Sequence, residues 1–148
     1  MQTQYIAVTQ LLSKYFDALY FSDAQRLSEI FHPDAHYVCV TDGSLQRLTM
    51  DQYLPIVSKR PSPASTNQQR KDNIISLEFA GPVTAYARVE CIIGHKFFTD
   101  FLTLICINGQ WQIISKVFHY ELKPEASSEN TTHNTPHHKV NNHALRQY

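Results

Sequence analysis

Two polar side chains, Asp100 and His119, lie at the two ends of a stretch rich in large apolar residues. Asn108-Gly109 between them predicts a two-residue β-turn, so the flanking strands should pair antiparallel in a register counted outward from that turn. In this register the two side chains are diagonal neighbours on an apolar face. A carboxylate that orients an imidazole is an acid/base couple suited to hydrolysis or dehydration. The alternative is a structural ion pair at the rim of the sheet.

The same register predicts a rival site on the opposite face of the sheet. Arg88, Glu90 and Lys116 lie close together there. If that face is the concave one, these residues would form an anion-binding pocket. Otherwise they are solvated, or they lie at the edge of a subunit interface.

Metal and cofactor chemistry has little support in the sequence. His32 and His36 have a spacing seen in metal sites, but Pro33 and a predicted helix end lie between them, so they need not share a face. The three cysteines are an odd number in separate apolar runs, which indicates free, buried thiols. We therefore expect no metal and no other cofactor.

Length and charge limit the possible classes of protein. The 148 residues suit one core, and 13 basic against 13 acidic residues leave no net charge. Binding to nucleic acid or to anionic membranes is therefore not expected. The N-terminal residues do not form a signal sequence and no apolar stretch is long enough for a membrane span, so a cytoplasmic location is the expectation.

Helical periodicity and capping residues predict three helices in the first 60 residues. The apolar residues of the first recur at i, i+3, i+4 and i+7 from Val8 to Tyr20. A capping box at Ser22 predicts a short second helix that ends at Pro33. A second box at Thr49 predicts a third helix, weakened by Pro55. Residues 60–72 read as a long surface loop, either a lid or a plain connector.

Alternating apolar residues and turn signals predict the strands. The first two cover residues 35–41 and 45–48, and four long ones cover 73–79, 83–93, 96–107 and 110–120. Such short turns allow only antiparallel pairing between the long strands. Their more apolar face should be concave and packed under the helices. It carries the rows Ala85, Leu104 and Ile113; Ala87, Leu102 and Ser115; Val89, Asp100 and Val117; and Cys91, Phe98 and His119.

This order of elements, together with D-A-x-R-L from Asp23, I-F-H-P-D-A from Ile30 and D-F-L-T-L-I-C-I-N-G-Q-W-Q-I-I-S-K-V-F from Asp100, resembles a known group. Residues 3–122 are similar to the nuclear transport factor 2-like superfamily, in its SnoaL-like and lumazine-binding-like branch. The resemblance implies an α+β fold in which three N-terminal helices pack in the concavity of a strongly bent, mostly antiparallel sheet, a cone with an internal pocket. It implies frequent homodimers and no single chemistry.

The resemblance allows one specific activity to be checked residue by residue. Ketosteroid isomerases of this superfamily use a tyrosine on the first helix, an aspartate base on the first strand and a protonated aspartate on a late strand. Tyr15 matches the tyrosine, whereas the base position falls on Cys39 and the late position on Thr103. An un-ionised thiol is a poor base, which argues against this activity. Because Tyr15 lies on the apolar stripe of its helix, the favoured interpretation is an ordinary core tyrosine with a satisfied hydroxyl.

The leading hypothesis is a small-molecule-binding domain, possible enzyme types being dehydratase, isomerase or cyclase, with a small apolar or mixed-polarity ligand. The catalytic candidates are Asp100, His119 and Tyr15. The alternative is a non-enzymatic, dimeric interaction or scaffold module with a vestigial pocket. The predicted pocket is lined by Tyr15, Tyr37, Cys39, Asp100, Leu102, Val117 and His119.

Two further expectations concern the outside of the domain. The outward face carries five large apolar side chains, which predicts a homodimer built on that face. Residues 123–148 are polar and rich in His and Asn, which predicts a flexible tail after a domain at 1–122. The five apolar residues are Tyr86, Phe101, Ile105, Ile114 and Phe118.

Overall fold

The computed structural model describes residues 2–122, so the tail predicted for 123–148 lies outside the described residues. Three α-helices precede the long strands, with a short 3-10 turn after the third. None of the helices in the described part of the chain has the length and hydropathy to span a membrane. The helical elements are α1 (Gln2–Tyr20), α2 (Ala24–Ile30), α3 (Met50–Lys59) and the turn Pro63–Thr66.

The helix caps confirm one sequence prediction and correct another. At α3, Thr49 accepts from the Gln52 amide at 3.3 Å and the Gln52 side chain accepts from the Thr49 amide at 2.9 Å, so the predicted capping box is present. At α2 the cap is Asp23, whose carboxylate accepts from the Arg26 amide at 3.0 Å. The predicted cap, Ser22, instead has a left-handed φ of 49° in the turn before it.

Six strands form one open, mixed sheet. Their order is β2-β1-β6-β5-β4-β3, with β1 and β6 parallel and every other pair antiparallel. β1 starts directly after α2, earlier than predicted, because the register shift between Phe31 and His36 accommodates Pro33. The strands are β1 (Phe31–Cys39), β2 (Gln46–Thr49), β3 (Asn73–Phe79), β4 (Thr84–Ile93), β5 (Lys96–Ile107) and β6 (Gln110–Leu122).

The core lies between the helices and one face of this sheet, which confirms the predicted α+β class. Val8, Leu12 and Tyr15 of α1 are fully buried, as are Ala87 and Leu102 of the sheet. These are the inward positions of an amphipathic helix and of alternating strands. Asp100 is the one fully buried acidic residue on that face among the described residues.

The pairing of β5 with β6 departs from the predicted register after a few residues. Leu104 faces Ile113 as predicted, but Thr103 faces Ser115, so Ile114 is an extra residue in a β-bulge. A bulge of one residue exchanges the two faces for the rest of the strand. The predicted rows that contain Ser115, Val117 and His119 are therefore wrong. Lys116, Phe118 and Tyr120 point into the core in their place.

Residues 60–72 are anchored by side-chain contacts. The Gln68 side chain donates to the Ile92 carbonyl and accepts from the Gly94 amide, both at 2.8 Å. The backbone carbonyl of Gln68 accepts from the Tyr20 hydroxyl at 2.7 Å. Arg70 forms an ion pair with Asp17 at 2.9 Å and stacks over the Tyr20 ring. The segment is therefore fastened to α1 and to the β4–β5 turn rather than being a loose connector.

Candidate functional site

Three polar side chains meet inside the cone, each from a different element. The Tyr15 hydroxyl of α1 donates to Oδ2 of Asp100 on β5 at 2.6 Å. Nζ of Lys116 on β6 lies 3.8 Å from the same oxygen. Exposure is 0% for Tyr15 and Asp100 and 4% for Lys116. Burial of a charge is costly unless it is paired, so the carboxylate and the ammonium must be considered as one unit.

The local structure explains why these three residues meet. Tyr15 lies on the inward stripe of α1, and Asp100 is an even-numbered inward residue of β5, as predicted. Lys116 is inward because of the bulge at Ile114, without which it would point to the outer face. Bulges often re-aim a side chain beside an active site.

Lys116 is enclosed by aromatic rings. Its Nζ lies between 5.1 and 5.7 Å from the ring centres of four residues, and two of those rings stack on each other at 4.4 Å. Cation–π attraction offsets part of the cost of burying the ammonium. The four rings belong to Tyr15, Tyr37, Tyr53 and Phe118.

The electrostatics keep the site's proton donors protonated. Burial, and then the charge of Asp100, raise the pKa of Tyr15 well above its usual value of 10.0. Burial by itself lowers the pKa of Lys116, but its interactions with Asp100 first, and then with Tyr53 and Cys91, outweigh burial, and the pKa lies above the usual 10.5. Burial also raises the pKa of the Cys91 thiol. At neutral pH the site therefore holds a phenol, an ammonium and a thiol.

The two oxygens of Asp100 differ in their surroundings. Oδ2 receives the Tyr15 hydrogen bond and faces Lys116, whereas Oδ1 is buried and no donor within residues 2–122 reaches it. Buried polar atoms without a partner are rare in folded proteins, and a catalytic role is one of the reasons for which they occur. One oxygen is thus held in position, and the lone pairs of the other are not used by any donor in the part of the chain that the structure describes.

The predicted couple of Asp100 and His119 is wrong, because the bulge turns His119 outward. Its side chain is exposed, with Nδ1 at 2.8 Å from the Thr41 hydroxyl and Nε2 at 3.6 Å from Glu121. Val117 is also on the outer face and is 44% exposed. Tyr15, Tyr37, Cys39 and Leu102 of the predicted lining do lie in the interior with Asp100.

The rival set of Arg88, Glu90 and Lys116 does not share one face. Arg88 is exposed and lies over the Phe101 ring on the outer side, while Glu90 is half-buried. Lys116 alone of the three enters the core. The structure therefore combines one member of each predicted site, Asp100 from the first and Lys116 from the second.

The two positions counted from the ketosteroid isomerases lie outside the buried polar cluster. Cys39 is buried and exchanges 3.4 Å contacts with Thr41, and Thr103 pairs with Ser115. The carboxyl group beside Tyr15 is Asp100, three positions before Thr103, the residue counted as the late-strand position.

Sequence reasoning missed the inward Lys116 and its aromatic neighbours Tyr53 and Phe118. The inward positions of β6 are odd-numbered up to Ile113 and even-numbered after it, and this change in the alternation of apolar residues was the signal for them.

A second cavity, outside the buried cluster, is open to solvent. A cleft of about 470 Å³ lies outside the cone between α1, α2 and the β5–β6 turn, and it contains none of the predicted site residues. Within residues 2–122 no group of three or more His, Cys, Asp and Glu side chains is arranged to hold a metal ion. The cleft is lined by Ala7, Gln10, Leu11, Lys14, Arg26, Glu29, Ile30, Gly109, Gln110 and Trp111.

The fold and this buried site agree with the relatives of the chain. Residues 3–119 match the family described as Putative lumazine-binding, and the chain belongs to that family. An NTF-2-like protein of unknown function from Silicibacter pomeroyi superposes with a TM-score of 0.72 at 26% identity, over 82% of this chain and 99% of the other. A second such protein, from Shewanella baltica, gives 0.72 at 25% identity, over 80% and 94%. These similarities confirm the expected superfamily.

One curated relative carries the name of an enzyme. Aldolase FrzH of Cladobotryum sp. is 28% identical over 119 residues, which cover 79% of this chain and 91% of that protein. A cystatin-like protein from Caulobacter vibrioides, at 20% identity and a TM-score of 0.58, supports the fold alone. Together the family and fold are those of a ligand-binding domain.

Proposed function

We propose that this protein is an enzyme that removes a proton from the carbon next to a carbonyl group, with Asp100 as the base. The observation that carries the proposal is the unpartnered, buried Oδ1 of a carboxylate whose other oxygen is held by Tyr15 and Lys116. A base must be positioned and have a free lone pair, and this carboxylate has both.

The proposed step uses each group of the cluster. Oδ1 of Asp100 takes the proton, the C–H electron pair forms a carbon–carbon double bond, and the carbonyl electrons move to oxygen. The ammonium of Lys116 stabilises the resulting enolate, and the Tyr15 hydroxyl positions the base. Return of the proton to another carbon gives an isomer, loss of a β-hydroxyl as water gives a dehydration, and attack on a second carbonyl gives an aldol.

Lys116 is proposed as an electrostatic group and not as a nucleophile. A lysine that forms a Schiff base must first lose its proton, so its pKa has to be low. Here the pKa of Lys116 is raised, since its interactions with Asp100 and other neighbours outweigh burial. The name of the relative, Aldolase FrzH, supports enolate chemistry in general and gives no substrate.

Deuterium exchange tests the proposed step. The protein in D₂O is incubated with a panel of small ketones, aldehydes and oxo acids, and exchange next to the carbonyl is followed by NMR. Asp100→Asn should lower the rate by about a hundredfold or more, as expected for loss of a general base. Tyr86→Phe, a conservative change on the outer face of the sheet, is the control and should leave the exchange rate unchanged. Equal rates for wild type and a folded Asp100→Asn variant would contradict the proposal.

The second candidate function is a non-enzymatic interaction module with a vestigial pocket. The complete burial of Tyr15 and Asp100 favours it, because a substrate reaches Oδ1 only if aromatic side chains move. A thermal-shift screen separates the two functions, since a ligand at 100 times its dissociation constant adds about 2.7 kcal/mol of stability. A panel that neither stabilises the protein nor exchanges deuterium would favour the module.

We also propose a homodimer through the outer sheet face. Phe101 is 44% exposed, its ring centre lies 5.8 Å from that of Tyr86 with the rings tilted, and the Arg88 guanidinium lies over it. Val117 replaces Phe118 in the predicted patch. Aromatic residues and arginine are typical of interface centres. Phe101→Glu should give a folded monomer by light scattering, and Leu45→Glu, exposed in the β1–β2 connection, should remain dimeric. A persistent Phe101→Glu dimer, or an unfolded chain, would contradict this interface.

A further inference from the structure

A cleft of about 470 Å³ lies outside the cone, and three elements of the fold form its walls. Along α1 its lining residues recur at i, i+3, i+4 and i+7 from Ala7 to Lys14, and along α2 they lie at i, i+3 and i+4 from Arg26 to Ile30. This spacing puts each set on one face of its helix. The β5–β6 turn is the third wall, and a Cβ built on Gly109 would meet no atom within 4 Å. The turn therefore leaves its side of the cleft open.

The buried part of the cleft is apolar, whereas its charged groups lie at the surface. Ile30 and Trp111 are buried, with exposures of 2% and 8%, and Leu11 is half-buried. Lys14 and Arg26 are both exposed. Small-molecule sites have this composition, an apolar lining with a few polar groups that fix orientation, and volumes of roughly 300 to 1,000 Å³. The cleft therefore suits a ligand with an apolar body and a polar end.

The charged side chains of the cleft do not neutralise one another. Within residues 2–122, neither Lys14 nor Glu29 takes part in an ion pair. The Arg26 guanidinium lies 3.9 Å from the Asp23 carboxylate, and both side chains are nearly half exposed, so water weakens this pair. The lining thus has two positive groups, Lys14 and Arg26, against one negative group, Glu29. An anion is therefore the ligand that this cleft attracts.

We propose that this cleft is a second ligand site, which binds a small organic anion with a flat apolar body and one carboxylate. The flat body packs against Trp111 and Leu11, and the carboxylate is attracted by Lys14 and Arg26. Glu29 disfavours a second negative charge on the ligand. The site is independent of the proposed enolisation, because none of its lining residues belongs to the buried polar cluster.

Three probes that share a naphthyl group test the charge preference. Naphthylacetate, the uncharged naphthylacetamide and the cationic naphthylmethylamine are titrated into the full chain by calorimetry. The acid should bind about three- to tenfold more tightly than the amide, because two exposed ion pairs contribute, and the amine should bind least. Equal affinities for acid and amide, tighter binding of the amine, or no binding of the acid would overturn the proposal.

The single tryptophan of the chain reports where the acid binds. Trp111 lines the cleft, so the NMR peak of its indole N–H should shift during the titration, with the same dissociation constant as calorimetry gives. The naphthyl ring packed against the indole causes this shift. An acid that binds by calorimetry without moving this peak would lie elsewhere, for example beside Lys116 in the cone, and would overturn the cleft as its site.

Charge variants of the cleft walls give the second test. The double variant Lys14→Gln/Arg26→Gln should bind acid and amide equally, because both attractive charges are gone. Lys59→Gln, which neutralises an exposed lysine on α3 outside the cleft, is the control and should keep the preference for the acid. Glu29→Gln should bind the acid about two- to threefold more tightly than wild type, since a like charge is removed. A preference that survives in the double variant, or weaker acid binding by Glu29→Gln, would contradict the proposed site.

Discussion

The β5–β6 hairpin has two halves that obey different registers. Near the Asn108-Gly109 turn, the pairing of Leu104 with Ile113 is the one counted from the turn. Beyond the bulge at Ile114, every residue of β6 has exchanged faces. A single extra residue thus replaces an imidazole with an ammonium beside Asp100. The chemistry of the site depends on the far half, where counting from a turn is least safe.

Inserting one alanine between Ile114 and Ser115 tests this comparison most strongly, because it shifts the far half of β6 by one residue. The far half of β6 would then present Val117 and His119 to the core and expose Lys116, Phe118 and Tyr120. Exposure of these side chains should cost roughly 5 to 9 kcal/mol of unfolding free energy, enough to abolish folding, as followed by circular dichroism. Ile114→Ala keeps the register and should cost only about 1 kcal/mol. A stable, folded insertion variant would show that the far register is not fixed by the number of residues in the bulge.

Trp111 tests the near half. It is 8% exposed, packs edge-on against Phe79 at 6.0 Å and lies in the core cluster. Trp111→Ala should lower the unfolding free energy by about 3 to 5 kcal/mol in chemical denaturation. A loss below about 1 kcal/mol would mean that this half of the hairpin does not contribute to the core.

Alkaline titration sharpens the comparison at the site itself. The pKa values of Tyr15, Lys116 and Cys91 are all raised, from usual values of 10.0, 10.5 and 9.0. The contribution of these groups to the unfolding free energy is therefore complete below about pH 9. It is lost as the pH rises, because the unfolded chain releases these protons at lower pH than the folded chain does. Each group adds a slope of up to about 1.4 kcal/mol per pH unit. Denaturation of Tyr15→Phe between pH 9 and 11 should show a shallower decline than wild type; equal slopes would contradict the raised pKa of Tyr15.

His119 should give the smallest effect. Its side chain is exposed on the outer face and contacts Thr41 and Glu121. His119→Ala should change the unfolding free energy by less than about 0.5 kcal/mol and leave deuterium exchange intact. Loss of exchange activity in this variant would instead support the Asp100–His119 couple that was predicted from the sequence.

The sequence was a good guide to elements defined by local chemistry. The Thr49 capping box, the strand β3 and the β4–β5 register follow from residues close together in the chain, and the structure confirms them. The cap of α2 was misassigned by one residue, because Ser22 and Asp23 are both good capping residues and only backbone conformation separates them. The parallel pairing of β1 with β6 has no local signal at all.

The candidate site was only half predictable, for a related reason. Tyr15 lies on α1 and Asp100 on β5, so the bulge in β6 does not affect the prediction that both point inward, and that prediction is confirmed. Lys116 is predicted outward because the register counted from Asn108-Gly109 was continued along β6 without a bulge. Its burial depends on Asp100 and on rings from α1, β1 and α3, a combination that only the tertiary structure brings together.

The parallel contact between β1 and β6 also affects how the chain is made. The Gln112 side chain donates to the Phe31 carbonyl, 81 positions earlier, so α1, α2 and β1 leave the ribosome long before their partner strand. At ordinary rates of synthesis that delay is on the order of five to fifteen seconds. During this time the apolar sides of the N-terminal elements lack the strand that covers them. The nascent chain should therefore bind chaperones until β6 emerges and completes the sheet.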